Sequence, residues 1–159
     1  MVLIESIKKV LFEQVQGCRL LMELLQREKV FLLDLQMEGI EALTKQKDIL
    51  VLKLRLLEEE RERIVDRFLL ENFPNLSAEG SSSQKMSLQK LADLTGESFF
   101  QDMRLKLISL SQGIKELNDL NKVMIDRTLG FLRKNNQFLG LVYPGTSRGE
   151  KGRLLSMEM

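Results

Sequence analysis

Residues 99–141 read FFQDMRLKLISLSQGIKELNDLNKVMIDRTLGFLRKNNQFLGL. Along this stretch Phe100, Met103, Leu107, Leu110, Ile114, Leu117, Asn121, Met124, Thr128, Phe131, Asn135 and Phe138 return at intervals of three or four. That alternation is the seam of a helix packed on other helices. Up to Leu117 the seam is wholly apolar. Beyond it a polar residue recurs every seven positions, at Asn121, Thr128 and Asn135. A second apolar stripe, Ile125, Leu129, Leu132 and Leu139, opens beside the first in the same half. A helix apolar on two sides needs two neighbours. One is the rest of its own chain. The other is more of that same core, a partner protein, or a second copy.

The same spacing governs the N-terminal half. Ile4, Ile7, Leu11, Gln14, Cys18, Leu21, Leu25, Glu28, Leu32 and Leu35 form one seam, which predicts a helix over about 3–38. Leu43, Lys47, Leu50, Leu54, Leu57, Arg61, Ile64 and Phe68 form a second, over about 40–71. Gly39 stands between them where a helix-ending glycine would. So short a link folds the two helices into an antiparallel hairpin. In that register Leu32 faces Lys47 and Leu25 faces Leu54. Glu28 then approaches Lys47 as an ion pair near the core edge, setting register more than stability. The run Glu58-Glu59-Glu60-Arg61-Glu62-Arg63 reads as a solvated helix face with ion pairs one turn apart.

Residues 72–86 hold Pro74, Gly80 and a serine run, the composition of a flexible connector. Ser87 is placed to cap a short helix over 87–94 that Gly96 ends. The third long helix runs over about 98–141. After it, Pro144, Gly145 and Gly149 break the pattern, and 143–159 reads as a flexible tail. Tyr143 sits where helix meets tail, either to anchor the helix end or to contact a partner. The expected fold is all-α. It is an elongated antiparallel bundle, residues 1–142, of three long helices and one short connecting helix with coiled-coil-like packing. At 1.5 Å per residue the long helices would reach ~50–65 Å.

Composition narrows the function. Lys and Arg number 24 against 23 Asp and Glu, so there is no charge excess to attract nucleic acid. With no His, the residue most used for proton transfer is missing. No phosphate-cradling glycine loop or zinc-ligand spacing is present, so no catalytic, cofactor or metal residue is assigned. Cys18, the single cysteine, lies on an apolar seam and reads as a small buried hydrophobe. The N-terminus MVLIESIKKV lacks the apolar run of a signal peptide, and no stretch is apolar enough for membrane insertion. The expected setting is a reducing cytoplasm. The expected activity is non-enzymatic: holding a protein by helix–helix packing, its amphipathic helix laid in a groove.

Three stretches carry a family resemblance. LLMELLQRE at 20–28 resembles the leucine-rich first helix of the FlgN family of flagellar export chaperones. EGIEALTKQK at 38–47 is similar to that family's turn and Lys-bearing second helix, with Ile40 in place of its Asp. LNDLNKVMI at 117–125 resembles the family's two asparagines three apart before a Leu-Ile pair, with Met124 in the Leu place. Tyr143 resembles the tyrosine of the family's tail motif, here interrupted by Pro144.

The resemblance implies a cytoplasmic chaperone of the flagellar type III export system. Such a protein covers the C-terminal helices of hook–filament junction proteins, prevents their premature aggregation and brings them to the cytoplasmic domain of the export gate. On that reading Asn121, Ile125, Thr128, Leu129, Leu132 and Leu139 hold the cargo, and Tyr143 docks on the gate. The alternative is a structural coiled-coil adaptor or homodimeric scaffold, its stripes satisfied by self-association.

Overall fold

The computed structural model describes residues 1–75 and 86–142. Helix α1 spans Val2–Leu33, α2 Met37–Asn72, α3 Leu88–Thr95 and α4 Ser98–Val142. No strand occurs among the described residues, so the protein is all-α, with three long helices and one short one. The chain divides into two compact units, Met1–Asn121 and Lys122–Met159. Most of the expected connector (76–85) and all of the expected tail (143–159), Tyr143 included, lie outside the described residues.

In the first unit α1 and α2 form the expected antiparallel hairpin, but its turn is displaced. Helix α1 ends at Leu33 rather than near Glu38, and the link is Asp34-Leu35-Gln36. Leu35 takes the left-handed conformation, with φ 55°. The Gln36 N–H donates back to the Phe31 carbonyl at 2.9 Å and the Leu35 N–H to that of Leu32 at 3.4 Å. This is the helix-ending motif that usually has glycine at the left-handed position. Gly39, the expected terminator, instead lies in the first turn of α2. A Cβ there would meet the Phe31 ring at 2.9 Å, so its role is close approach.

Moving the turn towards the N-terminus moves the register with it. Leu54 lies against Gly17, where a Cβ would stand 2.6 Å from the leucine's Cδ2, rather than opposite Leu25. Lys47 meets Glu28 rather than Leu32. Leucine in the left-handed region costs about 1 kcal/mol that glycine does not. Leu35 is exposed, so its side chain contributes little packing. Leu35→Gly is therefore expected to stabilise the protein by about 1 kcal/mol, read as a higher urea midpoint with unchanged slope.

Most seam residues near the open end of the hairpin pack as the spacing predicts, joined by Val15 and Val65 from outside the seams. Ile7, Leu11 and Val15 of α1, Val65 and Phe68 of α2, Leu91 of α3, and Phe100 and Met103 of α4 form one core cluster. Phe100 is wholly buried and meets Phe99 edge-on, with ring centroids 5.7 Å apart. Further along, Met22 of α1 sits against Gly113 of α4, so within this unit α4 runs in the same direction as α1. Helix α3 starts on Ser87, whose Oγ accepts the Lys90 N–H at 3.2 Å, and ends on Gly96 at φ 70°. The Lys8 ammonium ties α1 to the α3–α4 junction, 2.7 Å from Glu97 and 3.0 Å from Glu5. Those two carboxylates, Glu97 foremost, hold it above its ordinary pKa.

The acidic run of α2 is not wholly a solvated face. Arg61 is buried and donates to both Glu58 carboxylate oxygens, at 2.7 and 2.6 Å. Glu58 Oε2 also accepts the Gln14 amide of α1 at 2.8 Å. The bond to Glu58 holds the Arg61 guanidinium above its ordinary pKa against the opposing effect of burial. Gln14, the first polar break in the α1 seam, thus has its amide nitrogen tied to Glu58 of α2, while its Oε1 is buried without a hydrogen-bond partner.

Candidate partner-binding surface

The second polar break in the α1 seam is Glu28, 3% exposed. Its Oε1 accepts Lys47 Nζ of α2 at 2.6 Å, and its Oε2 accepts the Asn121 amide of α4 at 2.8 Å. The same Asn121 amide nitrogen donates to the Leu25 carbonyl at 2.9 Å. Three long helices meet at one carboxylate. The sequence foresees the Glu28–Lys47 pair but assigns Asn121 to cargo. The structure buries Asn121 to 1% exposure, with its amide engaged inside the first unit. It is not part of an exposed face.

The other residues assigned to cargo lie in the second unit, on α4 beyond Asn121. Ile125 and Thr128 are half-buried, and the Thr128 hydroxyl donates to the Met124 carbonyl at 3.0 Å. From Leu129 to Gly140 the helix is almost wholly exposed: Leu129 45%, Leu132 47%, Leu139 53%. Phe131 at 61% and Phe138 at 64% are more exposed still. Heptad spacing marks these two phenylalanines as ordinary seam residues, not as binding residues.

At 100° per residue, Ile125, Leu132 and Leu139 form one row along the helix, and Met124, Phe131 and Phe138 another. Thr128 and Asn135 lie between the rows. Lys122, Arg127, Arg133 and Lys134 are exposed along the same segment, against a single carboxylate, Asp126. The result is a two-rowed apolar face with a polar midline and a cationic border. Water alone is a poor neighbour for so many contiguous apolar side chains, which makes this face the candidate interaction site.

Little else in the described residues competes. No group of three or more His, Cys, Asp and Glu side chains is placed to hold a metal ion. Burial pushes the half-buried Cys18 thiol up in pKa, away from the reactive thiolate. No helix among the described residues is long and apolar enough to cross a membrane.

The described residues thus form an α1–α2 hairpin followed by a long helix, α4, whose apolar side chains from Leu129 to Leu139 are exposed. The chain matches the family model described as "FlgN protein" over residues 1–152, and it belongs to the FlgN family of flagellar export chaperones. No curated protein and no solved structure compared with it matches.

Proposed function

We propose that this chain is a cytoplasmic, non-enzymatic chaperone for hook–filament junction proteins. It covers one of their C-terminal helices with the α4 face formed by Ile125, Thr128, Leu129, Leu132 and Leu139, flanked by Phe131 and Phe138. The carrying observation is that five large apolar side chains between Leu129 and Leu139 are 45–64% exposed on one helix. An amphipathic cargo helix laid on the two rows would remove both apolar surfaces from water at once. Each well-buried side chain is worth ~1.5–3 kcal/mol, so a few suffice for micromolar or tighter binding after the cost of association.

Asn121 lies outside this face, its amide bound to Leu25 and Glu28 within the first unit. Tyr143 then docks the loaded chaperone on the cytoplasmic domain of the export gate, a role supported by the family resemblance of the tail.

The test is a calorimetric titration of the full chain with a hook–filament junction protein, alongside light scattering of each alone. Saturable binding by a chain that is monomeric when free is expected. A tight dimer that hides Leu129 and Leu132 and takes no junction protein would favour the scaffold alternative instead.

A further inference from the structure

The polar midline of α4 repeats, and one of its members is seen at work. Asn121 has apolar residues at four before (Leu117), three after (Met124) and four after (Ile125). Asn135, two heptads on, has Phe131, Phe138 and Leu139 at the same offsets, with Leu132 added at three before. Thr128, between them, turns its hydroxyl back onto its own helix. Asn121 is buried and Asn135 exposed. The helix drifts only ~20° per heptad, so the two asparagines stand in nearly the same phase of one seam.

What Asn121 does is specific. Its amide nitrogen bridges a backbone carbonyl of the facing helix, that of Leu25, and the carboxylate three residues later, Glu28. A helix places residues three apart on one face, so the carbonyl and the carboxylate form a single acceptor pair. A cation, Lys47, takes the second carboxylate oxygen. On the Asn135 side of α4 the exposed Arg127 and Lys134, which flank the Phe131–Phe138 row, provide cations in its place.

We propose that Asn135 reads the cargo helix as Asn121 reads α1. The partner is an amphipathic helix with an apolar seam residue and, three positions later, a carboxylate. That carboxylate accepts the Asn135 amide while the bordering cations neutralise it. This deepens the chaperone reading and rests on it: α1, with Leu25 and Glu28, is the internal copy of what the cargo presents.

The diagnostic variant is Asn135→Leu, which removes the donor and extends the apolar seam. If the cargo seam is read by greasiness alone, this change tightens binding. If a cargo carboxylate is read, it leaves that group without its donor and weakens binding about tenfold. The titration uses the full chain and a hook–filament junction protein, with Ile125→Asp/Leu132→Asp as the control for the surface itself. A roughly tenfold loss in Asn135→Leu, with binding abolished in the control, supports the proposal. Equal or tighter binding by Asn135→Leu with the control still abolished overturns it and leaves the chaperone surface standing. Unchanged binding by the control overturns the surface assignment on which it rests. A wild-type chain that binds phosphatidylglycerol vesicles but no junction protein also overturns it, because the cationic border then serves a lipid surface.

Discussion

Lys47→Met is expected to destabilise the protein by about 3 kcal/mol, read as a lower urea midpoint. Methionine keeps most of the apolar stem that lysine packs along the hairpin, so the change is chiefly loss of the ammonium. What remains is the Glu28 carboxylate, 3% exposed, with only the Asn121 amide as a partner. Removing one member of a buried pair is far more damaging than never having had the pair, because the surviving charge has left water without compensation.

The same argument makes a second variant informative. Replacing all three groups together, Glu28→Leu, Lys47→Met and Asn121→Leu, is expected to be near neutral or stabilising. A loss below about 1 kcal/mol in Lys47→Met alone would mean that Glu28 reaches water, and that the three-helix node is not the buried tie described above.

Ile125→Asp with Leu132→Asp is expected to weaken the binding of a hook–filament junction protein by about 100-fold or more. Two apolar contacts of ~2 kcal/mol each are lost, and two carboxylates must be desolvated beneath the cargo helix. The free protein should tolerate the change within about 1 kcal/mol, since Leu132 is 47% exposed and Ile125 is half-buried. Separating affinity from stability in this way is what distinguishes a binding face from a core. A large fall in the urea midpoint, with cargo affinity merely following it, would place these residues in the interior instead.

How far the sequence leads can be judged residue by residue. Heptad spacing places Ile7, Leu11, Leu25, Leu43, Leu57, Phe68, Phe100 and Met103 inside, and all are buried. It also marks Gln14, Glu28 and Arg61 as seam positions, and all three are buried with partners. The hairpin turn escapes because its left-handed position is filled by Leu35, a residue with no turn signature, while Gly39 mimics one a few residues later. The displaced turn then shifts directly facing pairs such as Leu25–Leu54, while the Glu28–Lys47 ion pair, expected one turn off, still forms.

The binding surface is half legible for a different reason. Periodicity gives the angular phase of a side chain around its helix, not the depth of cover at that level. Asn121, Thr128 and Asn135 share one phase, yet the first is buried, the second half-buried and the third exposed. The seam therefore suggests that Phe131 and Phe138 are interior, although they are 61% and 64% exposed. Where cover stops depends on the tertiary partner, which local spacing does not encode.

On the proposed function, residues 129–140 are uncovered in the free chain and become covered by cargo. Hydrogen–deuterium exchange of the full chain, with and without a hook–filament junction protein, reads this directly. In the free chain, amides of 129–140 should exchange at least about tenfold faster than those of 100–117, whose seam is packed, and cargo should slow them by a similar factor. Equal protection of both stretches in the free protein, unchanged when the junction protein is added, would contradict the account.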